Sequence, residues 1–118
     1  DDINNLDKKK LKIIEKWFNS SRKYGFTTIC IGQSYTGIPI SIRRNIMVWF
    51  IFRLKDVNEI NQILKNHNTN NIAKETIKNM YHFAVKDKGN FFKIDFTNDE
   101  NKMFSRNFID FLLPSKFK

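Results

Sequence analysis

Two short apolar runs, FTTICI at residues 26–31 and IMVWFIF at residues 46–52, do most to limit the folds open to this chain. Both runs are rich in β-branched or aromatic residues, which favour strands. Each run is also far too short to cross a bilayer. Because a continuous apolar run of this length is typical of a strand buried on both faces, the two runs predict central strands of a mainly parallel sheet.

Amphipathic segments surround the two runs. Apolar residues three or four positions apart, ahead of the first run, predict a helix whose other face carries lysines. The same spacing recurs twice after the second run, and Asp56 is suited to cap the first of these helices. The later run FFKIDF alternates and predicts a further strand. We expect helices over residues 6–19, 56–65 and 72–83, one helical turn over 40–45, a strand over 91–96 and an amphipathic segment over 103–113.

The order of these elements is helix, strand, loop, strand, helix, helix, strand, which is typical of an α/β domain with a mainly parallel sheet. At 118 residues the chain is at most one domain. In such a sheet the ligand lies beyond the carboxyl ends of the strands. Gln33 follows the first strand at that end, so its amide is predicted to face a ligand crevice. The alternative is that Gln33 begins a solvated turn.

The net charge, the single cysteine and the two histidines limit the kinds of partner, compartment and metal site that the sequence allows. A net charge of +9 favours an anionic partner, nucleic acid first and a membrane surface second, although a lysine-rich surface that only keeps the protein soluble fits equally well. Cys30 is the single cysteine, so the sequence excludes a disulfide framework and indicates an intracellular, reducing compartment. His67 and His82 have no partner at metal-ligand spacing, which makes zinc a poor candidate.

Several polar motifs occur in a fixed order around the two apolar runs. Asp1-Asp2 precede the first helix, and Arg22 precedes Tyr24. Gln33-Ser34-Tyr35 follows the first run, and Ile42-Arg43-Arg44-Asn45 precedes the second. In this order the motifs resemble the distal half of the ATPase core in FtsK/HerA-like DNA-pumping motors. The resemblance is closest to the poxvirus-type genome-packaging ATPases of large DNA viruses.

This resemblance, which is best over residues 1–55, implies the C-terminal part of a RecA-like P-loop NTPase core. It implies an ATP-driven, DNA-translocating motor that packages viral genomic DNA into capsids. The implied partners are double-stranded DNA, further copies of the chain in a homo-oligomeric ring, and viral capsid or portal-type components. The implied cofactors are ATP and Mg²⁺. The implied places of action are the host cytoplasm, a virus factory or the virion, with no membrane span.

The same resemblance implies roles for individual side chains. Asp1 would coordinate Mg²⁺, and Asp2 would orient the attacking water or act as the base, with a share in the metal site. Gln33 would hydrogen-bond to the γ-phosphate. Arg22 would be the finger that reaches the neighbouring subunit's nucleotide, with Arg43 as the second candidate, because a planar, permanent charge stabilises the transition state's oxygens. The alternatives are an acidic pair that caps a helix and arginines in ordinary ion pairs.

Two features depart from the family pattern. Lys23 stands where the poxvirus-type motors usually have histidine. No G-x-x-x-x-G-K-[ST] motif is present, and the chain has four glycines in all. We therefore interpret the chain as the back half of a motor domain, and we expect that this piece alone neither binds nor hydrolyses ATP.

The remaining basic and aromatic residues carry weaker predictions. Lys8-Lys9-Lys10 is the best candidate for contacts with DNA phosphates, although a lysine run on a helix is most often only solvated. Trp17, Trp49 and the phenylalanines are expected to face a core or a subunit interface and not to stack on bases.

Two other functions compete with the motor. A small basic α/β module that binds RNA or DNA without catalysis explains the charge and the missing phosphate loop, but it does not explain the order of the motifs. A nuclease that uses Asp1, Asp2 and Asp95 as metal ligands is the weaker alternative, because no nuclease-type catalytic set accompanies these carboxylates.

Overall fold

The computed structural model describes residues 7–56, 58–67, 69 and 71–118. The chain divides into two compact units, one ending at Ile46 and one formed by residues 47–118. We call them the N-terminal unit and the C-terminal unit. Both contain helices, and the four-stranded sheet lies in the C-terminal unit.

The N-terminal unit contains two α-helices joined by a long irregular segment. Helix α1 spans Lys8–Ser20, and the carboxylate of Asp7 caps it by accepting a hydrogen bond from the Lys10 amide at 2.9 Å. A 3-10 helix over Ser21–Tyr24 follows, and Gly25, with φ of 74°, ends the helical conformation. Helix α2 spans Ile40–Asn45. Both α-helices lie where the apolar spacing predicts them.

Residues 26–31 do not form a strand of the sheet, so the prediction for FTTICI is wrong. Residues 26–30 have no regular secondary structure. The segment packs on the C-terminal part of α1 instead, where the ring centroids of Phe26 and Trp17 are 5.5 Å apart. Because β-branched residues favour a strand only where neighbouring strands are available, composition alone is insufficient here. The large apolar residues that this segment leaves exposed are Phe26, Ile29 and Ile31.

The C-terminal unit alternates strands with helices along the chain. Strand β1 (Val48–Ile51) leads to helices α3 (Asn58–Asn66) and α4 (Lys74–Ala84) and then to strand β2 (Phe92–Asp95). The following elements are α5 (Glu100–Met103), β3 (Phe104–Arg106), β4 (Asp110–Phe111) and a 3-10 helix (Pro114–Lys116).

The sheet is an antiparallel meander in the order β1-β2-β3-β4. The general α/β class is therefore confirmed, but the prediction of a mainly parallel sheet is wrong for the described residues. One helix between two strands returns the chain to the start of the first strand, so the second strand runs parallel to it. Two successive helices leave the chain near the end of the first strand, so the second strand runs antiparallel to it. Phe92, the first residue of β2, accordingly pairs with Ile51, the last residue of β1.

The amphipathic segment over residues 103–113 becomes a β-hairpin for most of its length. Ser105 pairs with Phe111, and Arg106 pairs with Asp110 and forms a salt bridge with it. Asn107, with φ of 57°, adopts the left-handed conformation that the tight turn requires. The apolar spacing of this segment suits either a helix or a strand, and pairing of β3 with β2 decides for the strand.

One face of the sheet carries the core of the C-terminal unit. Helix α4 packs on β2 and β3, and the rings of Phe92 and Phe104 stack with centroids 5.9 Å apart. Burial of each such side chain contributes about 1.5–3 kcal/mol. Other fully buried side chains of this core are Ile60, Leu64, Ile77, Met80, Ile94 and Met103.

Arg53 fixes the C-terminal end of α4. Its guanidinium donates to the carbonyl oxygen of Val85 at 2.8 and 3.1 Å, and also to the carbonyl oxygen of Lys86. The last carbonyls of a helix have no partner within the helix and lie at the negative end of its dipole. Arg53 therefore supplies both hydrogen bonds and a favourable charge at this end.

Candidate functional site

The loop over residues 32–39 forms a compact turn in the N-terminal unit. Ser34 Oγ accepts a hydrogen bond from the Gly37 amide at 3.2 Å. The Ile38 amide donates to the carbonyl oxygen of Tyr35, also at 3.2 Å. Gln33 is exposed at the start of this turn. Its amide thus lies at the surface, which both the ligand-binding interpretation and the solvated-turn interpretation require.

Arg43 and Tyr35 bring two of the sequence motifs into contact. The guanidinium carbon of Arg43 lies 4.8 Å from the centroid of the Tyr35 ring, which is cation–π geometry. Tyr35 is buried and Arg43 is half-buried. A contact of this kind contributes about 0.5–2 kcal/mol and holds the 32–39 loop on α2. Arg43 is thus engaged with a residue of its own chain.

Polar contacts fix α2 on α1. Asn45 Nδ2 donates to Asn19 Oδ1 and to the carbonyl oxygen of Ser41, both at 2.8 Å. Ser41 Oγ donates to Glu15 Oε2 at 2.7 Å. The hydrogen bonds of Ser41 and Asn45 therefore hold α2 on α1.

The predicted metal ligands lie outside the described residues, since Asp1 and Asp2 belong to the segment before residue 7. Arg22 lies in the 3-10 helix Ser21–Tyr24, and its side chain is outside the described part as well. Among the residues that are described, no group of three or more His, Cys, Asp or Glu could hold a metal ion.

Asp95, the third carboxylate of the nuclease alternative, is engaged in a turn. Its Oδ1 accepts from the Thr97 amide at 2.9 Å and from the Thr97 hydroxyl, and its Oδ2 accepts from Asn98 Nδ2 at 2.9 Å. Asp95 is also buried. A carboxylate with both oxygens used in this way caps the turn after β2, which disfavours its use as a metal ligand.

Lys8, Lys9 and Lys10 form an exposed basic first turn of α1, and this turn contains no acidic residue. Positive charges at the N-terminus of a helix oppose the helix dipole. The stability of α1 therefore does not explain the three lysines. An anionic partner would be attracted to them, which is what the predicted contact with DNA phosphates requires.

The outer face of the sheet, opposite the core, carries a group of phenylalanines in mutual contact. Phe50, Phe52, Phe91 and Phe108 have neighbouring ring centroids between 5.1 and 5.8 Å apart. Phe91 is half-buried and contacts the other three rings, which are exposed. We call these four residues the aromatic cluster.

A mixed row of side chains extends from the aromatic cluster across the sheet. Lys93 pairs with Phe50 on β1 and with Ser105 on β3, and Ser105 pairs with Phe111 on β4. Residues that pair directly across strands lie on the same face. Lys93 is thus placed between the aromatic cluster and Phe111, which is also exposed.

The loop over residues 86–90 lies beside the aromatic cluster. Phe52, Arg53 and Lys88 line a shallow depression together with Asp87, Gly89 and Asn90. Asn107 Nδ2 donates to Asn90 Oδ1 at 3.1 Å, so this loop is tied to the turn of the β3–β4 hairpin. Lys88 is therefore placed at the margin of the aromatic cluster.

The aromatic residues divide into two groups, and the sequence interpretation missed this division. Trp49, Phe92 and Phe104 are buried, as expected. The exposed ones do not lie in a core of this chain, so for them a subunit interface stays a prediction; they are Trp17, Phe26, Phe50, Phe52, Phe83, Phe108 and Phe111. The sequence does contain a signal for the exposed face, because Phe50 and Phe52 are two positions apart, and alternate residues of a strand share a face. The prediction that the run IMVWFIF is buried on both faces did not take this spacing into account.

Comparison of the chain with protein-family models, with curated proteins and with solved structures gave no match. In the part of the chain that the structure describes, no helix has the length and apolar character needed to cross a bilayer. We therefore infer function from the residues and their geometry.

Proposed function

We propose that this chain is the distal part of an ATP-driven motor that moves double-stranded DNA, as in the packaging of a viral genome into a capsid. The order of the motifs around residues 21–54 is the basis of this proposal. In the proposed motor the chain supplies the α/β part that follows the acidic motif, with an antiparallel sheet where the resemblance implies a parallel one. Several copies form a ring around the DNA, with capsid or portal-type components as further partners.

The observation that carries the proposal is the contact between Arg43 and Tyr35. The Gln-Ser-Tyr motif and the Ile-Arg-any-Asn motif are separate in sequence, yet this contact joins them, and Asn45 holds the second motif on α1. Such a contact supports the view that the two motifs act together. It leaves Gln33 at the surface beside a loop of defined shape.

Each candidate residue has a role in the proposed reaction. ATP supplies the transferable phosphoryl group, and Mg²⁺ neutralises its phosphates. Asp1 would bind the metal, Asp2 would orient the attacking water, and Gln33 would hydrogen-bond to the γ-phosphate. Arg22 would enter the neighbouring subunit's site, because Arg43 is held by Tyr35. Lys8, Lys9 and Lys10 would contact DNA phosphates without sequence preference.

An ATPase assay on the product of the whole reading frame tests this proposal. We expect Arg22→Ala to lower DNA-stimulated turnover by about 10³-fold or more with little change in nucleotide binding, because an arginine finger acts on the transition state. Arg44→Ala is the matched control, since Arg44 is an exposed arginine on α2, and we expect turnover within about twofold of the unchanged protein.

A mixing experiment then tests the ring. Subunits with Arg22→Ala and subunits with Asp2→Asn should each be inactive, and their mixture should regain part of the turnover, since the two defects fall on different sides of a shared site. An active Arg22→Ala protein, or a mixture of two inactive variants that stays inactive, would reject the ring with Arg22 as its finger.

The second candidate function is a small basic nucleic-acid-binding module without catalysis. The exposed aromatic cluster beside Lys88 and Lys93 favours it, because such a face suits binding better than phosphoryl transfer. The sequence upstream of Asp1 in the reading frame distinguishes the two functions. An apolar strand ending at Asp1, with a G-x-x-x-x-G-K-[ST] loop before it, supports the motor, and a start codon close to Asp1 supports the module.

A further inference from the structure

We propose that the aromatic cluster on the outer face of the sheet binds single-stranded nucleic acid, whose bases stack on Phe50, Phe52 and Phe108. The site lies within the C-terminal unit and needs neither ATP nor a second subunit. The inference is therefore independent of the proposed motor, and it extends the second candidate function by naming its ligand and the rings that bind it.

The exposure of the rings is the first argument. Phe52 is 56% exposed, Phe108 is 63% exposed and Phe50 is 45% exposed. A contiguous exposed aromatic surface on a small protein marks an interaction site. Half-buried Phe91 contacts all three rings and supports them from below. The three outer rings therefore have defined positions before any ligand binds.

The distribution of charge is the second argument, and it selects the occupant. The C-terminal unit has ten lysines and two arginines against five aspartates and three glutamates, which leaves a net charge of +4. Lys93 stands beside Phe50 in the pairing of β1 with β2, and Lys88 stands beside Phe52 in the depression. A nucleic-acid strand carries a phosphate for every base, and so it matches exposed rings with lysines beside them, although Asp87 also lines the depression.

A second copy of the chain fits the same surface less well. Symmetric pairing of two clusters would bring Lys88 and Lys93 of one copy towards those of the other, and like charges that face each other destabilise an interface. Arg53 does not change this balance, because its guanidinium is bonded to the carbonyl oxygens of Val85 and Lys86. The two lysines thus remain as the phosphate-binding candidates.

The chemistry of the rings requires a single strand. Phenylalanine has no hydrogen-bonding group, so it does not read the base edges that a duplex presents in its grooves. Its ring face does stack on a base that is already separated from its neighbours, and this contact tolerates any base. DNA and RNA single strands share this chemistry.

Fluorescence anisotropy with the full 118-residue chain tests the proposal. The probes are labelled oligothymidylate and oligouridylate of about 12 nucleotides and a duplex of the same length. We expect both single strands to bind more tightly than the duplex. We expect Phe52→Leu and Phe108→Leu each to weaken single-strand binding about tenfold, since leucine keeps an apolar side chain but removes the ring that stacks on a base.

The matched control is Phe26→Leu. Phe26 is 58% exposed and packs on one other ring, that of Trp17, but it belongs to the N-terminal unit. We expect this variant to bind within about twofold of the unchanged chain. Lys88→Gln and Lys93→Gln should each lower the slope of log affinity against log salt by about 0.7, the value for one phosphate contact on a single strand. Circular dichroism verifies that every variant is folded.

Three results would overturn the proposal. The first is no binding of either single strand at low salt by the folded chain. The second is a lack of selectivity, seen either as an equal loss of affinity in Phe26→Leu and Phe52→Leu or as a preference for the duplex. The third is self-association in sedimentation experiments that Phe52→Leu abolishes, which would assign the cluster to an interface between copies. Tighter binding of oligothymidylate or of oligouridylate supports the proposal and distinguishes a DNA ligand from an RNA ligand.

Discussion

The N-terminal and C-terminal units place their apolar residues differently. In the C-terminal unit, helix α4 covers one face of a paired sheet, and Phe92 and Phe104 are fully buried. In the N-terminal unit, α1 has no buried residue, and Ile29 and Ile31 are exposed although they belong to a run that composition predicts to be a strand.

The difference shows that an apolar run acquires its structure from the elements within its reach. IMVWFIF forms β1 because FFKIDF returns beside it and pairs over four residues. FTTICI has a similar composition of strand-favouring residues, but it packs on α1 through Phe26 and Trp17. The four predictions that follow compare buried or capped positions with matched exposed ones, from the largest expected effect to the smallest.

Phe104→Ala should have the largest effect on stability. Phe104 is fully buried against Phe92, so its removal leaves a cavity in the core and should lower the free energy of unfolding by about 3–5 kcal/mol. Phe108→Ala, four residues away on the exposed side, should cost about 1 kcal/mol or less. Urea unfolding followed by circular dichroism measures both. Equal losses would mean that the outer face is as well packed as the core.

Ile42→Ala tests whether the N-terminal unit has a core of its own. Ile42 is fully buried on α2, and its truncation should lower the free energy of unfolding of this unit by about 2–5 kcal/mol. Ile29→Ala, at a position that is 78% exposed, should change it by less than about 0.5 kcal/mol. Urea titration followed by the NMR amide signals of α1 and α2 separates this unit from the other. A large cost at Ile29 would show that residues 26–31 are packed in solution.

Arg53→Met tests how much the hydrogen bonds of Arg53 stabilise the C-terminal end of α4. The variant keeps an unbranched apolar stem but loses the charged hydrogen bonds to Val85 and Lys86, so we expect a loss of about 1–3 kcal/mol. Lys55→Met, at an exposed position two residues later, is the control and should cost less than about 0.5 kcal/mol. Amide hydrogen exchange at the end of α4 should accelerate in the first variant and not in the second. Equal exchange rates in the two variants would mean that packing alone stabilises the C-terminal end of α4.

Asp7→Ala should have the smallest effect on stability and the clearest effect on one helix. Loss of the cap costs about 0.5–2 kcal/mol, and because α1 has no buried residue, its first turn should fray. Asp56→Ala removes an oxygen that accepts from the Asn58 amide at 2.9 Å, but α3 is also held by buried Ile60, Ile63 and Leu64. NMR secondary shifts should therefore change in α1 and hardly in α3. Similar fraying of both helices would contradict the contrast between the two units.

The candidate site was partly predictable from the sequence. Gln33 is exposed, which leaves both the ligand-crevice prediction and the solvated-turn alternative open, and the strand expected before it is not formed. The contact of Arg43 with Tyr35 was not foreseen, since it joins residues eight positions apart through the fold of a loop. The aromatic cluster was missed because its members come from β1, from the residue before β2 and from a hairpin turn.

The sequence by itself determined the helices and turns. Apolar spacing and the caps at Asp7 and Asp56 place α1 and α3 within a few residues, and Gly89 allows the turn before β2, because these signals act between residues a few positions apart. Only the tertiary structure decided the antiparallel direction of the strands and the exposed side of the sheet. The structure of residues 26–31 was decided in the same way. Strand pairing joins distant segments such as residues 48–51 and 92–95, and local sequence carries little information about which segments meet.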